Sequence, residues 1–256
     1  MFNWLWGERT PRELPESWRP ILTSNATFRE RLSPALQQEF DQRLIEFVEA
    51  KYWEGCGGLA LTEEHKVTIG AHAIRLVLGF ERETLRDVKT VLVYPTPYEA
   101  KSQEVLGGNI VVEGVSQRAG ESWYHGPVIL AWSDIQECLE EEDYWKRRHP
   151  HNVIVHEFAH QLDYRNGRSA DGIPPIESHE QAEEWVKVTD AAYQRLSRAC
   201  ERNQYTLIDC YGATNRAEFF AVTTEVFFEA PQEMAEQWPE LYRVMQRYYR
   251  QDFLGQ

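Results

Sequence analysis

Two histidines four residues apart, with a glutamate directly after the first, stand near the middle of the chain. They are His156, Glu157 and His160 in VIVHEFAHQLD, residues 153–163. On an α-helix such histidines share one face, about 6 Å apart along the axis, so both imidazoles can reach one ion. Glu157 can lean over that ion from the side. There a carboxylate can hold an attacking water, take its proton and pass it to a leaving amine. The neighbours Val153, Ile154, Val155, Phe158, Ala159 and Leu162 are apolar. A buried helix results, and burying two histidines and a glutamate without partners is costly. The five-residue pattern alone is met by chance in many proteins, usually as an exposed helix with a charged face. The apolar flanks tilt the balance toward a metal.

A catalytic zinc needs a third protein ligand and an open position. In the extended pattern HExxHxxGxxH the glycine and third histidine fall at positions 163 and 166, where this chain has Asp163 and Asn166. Asp163 shares the face but lies about 10 Å along the axis from His156, too far for a short side chain. It is expected to accept a ligand histidine N–H or to anchor the helix. A later helical stretch, YGATNRAEFFAVTTEVFFEA at 211–230, offers Glu218, Glu225 and Glu229. Glu218 follows the cap-like Thr214–Asn215 and stands beside Phe219, Phe220 and Ala221. An acid at the start of an otherwise buried helix again asks for a partner.

Several elements must position these groups. Ser33 and Pro34 suit a helix start, and Leu36, Phe40, Leu44, Phe47 and Val48 recur at helical spacing up to GCGG at 55–58. A second, largely apolar helix runs from Thr62 to Gly79 and carries His65 and His72, which lack partners at ligand spacing and read as structural. The period then changes. Residues 90–95, 109–118 and 126–133 are β-branched, bounded by Gly or Pro, and predict strands. Helices follow: after Ser133, across the HExxH segment to a cap at Asn166–Gly167, over 178–203, over 215–229 up to Pro231, and to the C-terminus. Helices, then strands, then helices predict an α+β fold rather than an alternating plan. The first twenty residues, with three prolines, are expected to form an irregular arm, and residues 21–256 a single domain.

The chain has 256 residues, 42% hydrophobic and 27% charged, enough for a sizeable core. Its formal net charge of −14 argues against a broad grip on nucleic acid or anionic lipid. The basic run KRRHPH at 146–151 reads as a solvated loop. No apolar run is long enough to span a membrane, and the N-terminus lacks the features of a secretory signal. Cys56, Cys138, Cys200 and Cys210 form no CxxC pair. They read as reduced thiols of a cytoplasmic protein, with a Cys200–Cys210 bridge left open.

HEFAH followed some sixty residues later by YGATNRAEFFA resembles the Mlc titration factor A family of zinc peptidases. In a shorter stretch it is also similar to the catalytic domain of anthrax lethal factor. VLVYPTPY, GESWYHGPVILAW and HQLDYRNG extend the first likeness from about residue 20 to 253. The resemblance implies a zincin-like domain, with a small twisted sheet packed on the HExxH helix and helices on either side. It also implies an aminopeptidase-like zinc peptidase holding one zinc ion per chain. By this resemblance His156, His160 and Glu218 are the ligands, Glu157 is the general base, and Tyr211 is the active-site tyrosine whose phenol donates to an oxyanion. It implies a second role too: binding an Mlc-like glucose repressor and so relieving repression of sugar uptake, with zinc mainly structural in that case. The expected partners are a peptide or protein substrate and such a repressor, not nucleic acid or membrane. Some family members place a histidine from the loop before the second strand on the metal. The matching stretch GGNIVVEG has none, and His125 reads as a surface histidine. The strands at 109–118 and 126–133 are candidate edges for holding an extended peptide.

Overall fold

The computed structural model describes residues 12–106, 110–118, 120–122, 126–140, 149–167 and 169–254. The chain enters through α1 (Trp18–Asn25) and a short 3₁₀ turn, then forms α2 (Pro34–Ala50). Ser33 caps α2 by accepting the Leu36 N–H, and Pro34 fills its first turn, where a missing N–H costs nothing. A short strand β1 (Tyr52–Gly55) leads to α3 (Glu63–Val77), which Thr62 and His65 open with a reciprocal capping box. From Val67 to Val77 every residue of α3 is buried. It approaches α2 closely at Gly70, where a Cβ would meet Leu44 Cδ1 at 2.8 Å.

Strand β2 (Thr90–Tyr94) follows, then β3 (Tyr98–Leu106), β4 (Ile110–Arg118), β5 (Gly120–Ser122) and β6 (Val128–Ala131). The principal sheet has the order β1-β2-β6-β5. Its first three strands are parallel, and β5 runs antiparallel to β6 at the edge. β3 and β4 form a separate antiparallel hairpin, Tyr98 opposite Arg118 and Leu106 opposite Ile110. After β6 come α4 (Trp132–Leu139), α5 (Val153–Asp163), α6 (His179–Glu201), α7 (Arg216–Glu229), α8 (Pro231–Gln237) and α9 (Pro239–Tyr249). The result is the α+β arrangement expected, a small open sheet flanked by helices. α5 lies at its centre, against α3, α4, α7, β5 and β6. Phe158 and Leu162 of α5 share one contiguous core with Phe40, Leu76, Leu130, Phe220 and Phe227.

Several expectations are corrected. α2 stops at Ala50, and Tyr52–Gly55 forms a strand rather than a helix end. Four residues carry too little periodicity to announce a strand, and its partner β2 lies far along the chain. With α3 between them, β1 and β2 make one parallel crossover unit. The strand near 126–133 is interior, between β2 and β5, so it offers no edge; that at 110–118 pairs with β3 outside the main sheet. Gly167 has φ −171°, extended rather than left-handed, and a 3₁₀ turn at Tyr164–Asn166 ends the HExxH helix. Cys200 and Cys210 form a disulfide, in which Cys56 and Cys138 take no part. Of the expected N-terminal arm, residues 1–11 lie outside the described residues, and helix begins at Trp18. His125 and residues 146–148 of the basic run also lie outside them. Among the described residues no helix is long and apolar enough to cross a membrane.

Candidate metal centre

α5 begins where Asn152 Oδ1 accepts the Val155 N–H at 3.1 Å. One turn later His156 and His160 project from a single face, their Nε2 atoms 3.2 Å apart. Val155, Phe158, Ala159 and Leu162 anchor the rest of the helix, each fully buried. Glu218 arrives from the first turn of α7, which Asn215 caps through its Oδ1 and the Glu218 N–H at 2.9 Å. Its Oε2 lies 3.1 Å from His156 Nε2 and 3.6 Å from His160 Nε2. The cap thus sets the backbone of the residue that reaches the histidines.

These spacings suit a metal. Nitrogen and oxygen ligands about 2.0–2.1 Å from a tetrahedral ion lie roughly 3.3 Å from one another. The chemistry points the same way. Glu225 Oε1 lies 2.7 Å from His156 Nδ1 and, as a carboxylate, can only accept, so His156 donates there. A neutral His156 then turns its Nε2 lone pair toward the Glu218 carboxylate and the second imidazole. Three electron-rich atoms converge, which is repulsive unless a cation stands between them. The His156–His160–Glu218 cluster fits a single zinc ion.

The titration of these groups reports the same demand for positive charge. Burial opposes ionisation of Glu218, yet hydrogen bonds from His156 and His160 hold its carboxyl well below the usual range. Burial likewise opposes charging His156, but Glu218 and Glu225 outweigh it and raise its pKa well above the ordinary value. Glu225 is held down to about 2 against burial, by hydrogen bonds with His151 and His156.

α7 presents Glu218, Glu225 and Glu229 along one face, seven and then four residues apart. Each has a different task. Glu218 faces both histidines. Glu225, buried, accepts from His156, from His151 Nδ1 at 2.6 Å and from the Asn152 N–H at 2.6 Å. Glu229 Oε1 accepts from Arg75 at 2.8 Å and from Asn152 Nδ2 at 3.0 Å. The orienting role of Glu225 was not recognised from the sequence, although its seven-residue spacing from Glu218 on a buried helix was visible. His151, outside the helix, had no such signal.

Asp163 is fully buried and meets neither histidine. Its Oδ2 accepts the Gly172 N–H at 2.8 Å and so ties the following loop to α5. Of the two roles expected for it, accepting from a histidine is not found. Burial pushes its carboxyl up to about 6. Gly172 has φ +79°, and a Cβ there would meet the Arg216 carbonyl oxygen at 2.4 Å. That turn requires glycine. Glu157 is buried on α5 beside His156. Tyr211 lies on a 3₁₀ turn, Cys210–Ala213, with its ring 6.0 Å from that of His156 and 55% exposed. His65 belongs to the α3 cap, and His72 Nε2 bonds the Asn25 carbonyl at 2.9 Å.

Comparison with known proteins gives consistent findings. Residues 3–250 match the family described as glucose-regulated metallo-peptidase M90. An uncharacterized protein of Synechocystis sp. is 38% identical, over 96% of this chain and 89% of its own. Mlc titration factor A of Serratia proteamaculans is 32% identical, over 100% of this chain and 95% of its own. The protein of that name from Klebsiella pneumoniae is 33% identical, covering 98% and 92%.

Proposed function

Because the chain belongs to the glucose-regulated metallo-peptidase M90 family, we propose that it hydrolyses peptide bonds at the centre just described, within a single domain over residues 21–256. The observation that carries this is the convergence of His156 Nε2, His160 Nε2 and Glu218 Oε2 within 3.1–3.6 Å of one another. His156, His160 and Glu218 hold the metal, and Glu225 orients His156 through its Nδ1–H. Zinc, when bound, polarises a carbonyl and makes water more acidic. Glu157 takes the proton from the attacking water and delivers it to the leaving amine. The phenol of Tyr211 donates to the oxyanion as the carbonyl carbon becomes tetrahedral.

Strand β5, at the edge of the main sheet and against α5, offers its free side to an extended peptide. This edge replaces the strand near 126–133 named from the sequence, which is interior; the strand at 110–118 stays an edge, of the β3–β4 hairpin. We propose an aminopeptidase-like preference and a cytoplasmic location as well. The test is cleavage of a mixed peptide library with and without a chelator, using free and blocked N-termini. Chelator-insensitive cleavage, or none by zinc-loaded protein, defeats the proposal.

Full-length similarity to proteins named Mlc titration factor A supports a second reading, in which the chain binds an Mlc-like repressor. Its net charge of −14 suits a basic partner. The two readings separate cleanly. Glu157→Gln should abolish turnover and leave repressor binding intact; loss of both together shows that binding uses the catalytic centre.

A further inference from the structure

The bridged cysteines adjoin Tyr211 in the chain. Cys200 lies in the last turn of α6, and Cys210 opens the 3₁₀ turn directly before Tyr211. The ring of Tyr211 lies 6.0 Å from that of His156, and the turn that carries it sets where its backbone stands. Four hydrogen bonds define that turn, one of them from the Thr214 N–H to the Tyr211 carbonyl at 3.0 Å. Asp209 Oδ1 accepts the Tyr211 N–H at 2.7 Å, the Asp209 carbonyl accepts the Gly212 N–H at 3.0 Å, and Tyr193 donates to the Ala213 carbonyl at 2.9 Å. Buried Leu207 and Ile208 anchor the chain just before it. The disulfide ties the turn to α6 at the one residue between those anchors and Tyr211 where a covalent link fixes the backbone.

We propose that the Cys200–Cys210 bridge positions Tyr211, so that peptidase activity depends on the thiol–disulfide state of this pair. This rests on the peptidase reading and on the donor role of Tyr211. Cutting the bridge leaves Leu207, Ile208 and α6 packed, so fold and metal are retained while the turn loosens. Displacing a catalytic group by about 1 Å costs on the order of 10²-fold in rate. Disulfides in cytoplasmic proteins are mostly transient or redox-sensing. A bridge next to a catalytic donor and outside the set of metal ligands turns the redox state into a rate and leaves the metal in place.

The test uses the full zinc-loaded chain and a water-soluble phosphine, since dithiols compete for zinc. The phosphine takes oxygen from water and becomes a phosphine oxide. The phosphine supplies the two electrons that break the S–S bond, and the two protons of the water complete two thiols. Wild type, Tyr211→Phe and Cys200→Ser are each assayed oxidised and reduced on one peptide cleaved in the library screen. Wild-type kcat should fall about 10- to 100-fold on reduction, with KM and zinc content unchanged, and recover on reoxidation. Cys200→Ser should match reduced wild type in both states. Tyr211→Phe should change by under about twofold, because the group being positioned is gone. In parallel, hydrogen exchange at the amides of Tyr211, Gly212 and Thr214 should quicken on reduction. An unchanged wild-type kcat, an equal fall in Tyr211→Phe, or unaltered exchange overturns the proposal. If oxidised wild type cleaves nothing, the peptidase reading fails instead, and the exchange measurement still decides whether the bridge holds the turn.

Discussion

A histidine that ligates a metal must offer a lone pair, and Glu225 decides which nitrogen of His156 does so. Its carboxylate takes the Nδ1–H at 2.7 Å and leaves Nε2 for the ion. Glu225→Gln should therefore lower zinc affinity by roughly 10- to 100-fold while the fold is kept, as measured by competition with a fluorescent chelator. His156→Ala removes a ligand and should lose zinc altogether; full occupancy in that variant would sink the ligand assignment. Tyr211→Phe should keep zinc and KM and lower kcat by ~10²-fold, since a phenol donor acts only when the oxyanion forms. Asp163 behaves differently, because it bonds the Gly172 N–H and no histidine. Its folded carboxyl is raised from 3.8 to about 6 by burial. Between those values the folded metal-free protein binds more protons than the unfolded chain. The stability this proton provides is complete below about pH 4 and is lost as pH rises through about 6, on the order of 2–3 kcal/mol. Asp163→Asn retains an acceptor for Gly172 and should flatten that slope in urea melts of chelated protein. A slope that persists in the variant assigns it to another group.

At the scale of elements, α5 and α7 are each started by a side chain that also governs the site. Asn152 caps α5 one turn before His156, and Asn215 caps α7 at Glu218 itself. Asn215→Ala should cost about 1 kcal/mol of stability, the usual loss for such a cap. Because the capped N–H belongs to Glu218, zinc affinity should fall with it. Equal destabilisation at a cap remote from the site, such as Ser33→Ala at α2, should leave affinity unchanged, and titration of both variants distinguishes the two effects. The cap at Asn215 was read in the sequence; that at Asn152 was recognised only in the structure. β1 was not read from the sequence, because four residues gain strand structure only from the parallel partner β2.

In the whole molecule the metal centre joins α5 to α7, residues about sixty apart in sequence, over a core that both helices share. Zinc bound only by the folded chain adds about 3–4 kcal/mol at 100 to 1,000 times its Kd. Chelation should then lower Tm by roughly 5–15 °C for a chain of this size; an unchanged Tm would mean that the site binds no metal in solution. The sequence by itself determined the local terms. Histidines four apart on an apolar run had to share a buried face, and an acid had to open the later helix, because helical period and cap chemistry are properties of neighbouring residues. Tertiary structure alone decided the allocation of partners. Glu218, Glu225 and Glu229 are chemically alike and share one face of α7, and only the approach of α5 and α3 gives the first both histidines, the second the back of His156, and the third Arg75. The same holds for the place of β5 at an edge of the main sheet, beside β6. Each depends on which distant segments pack together, and the spacing of residues along one segment carries no record of that.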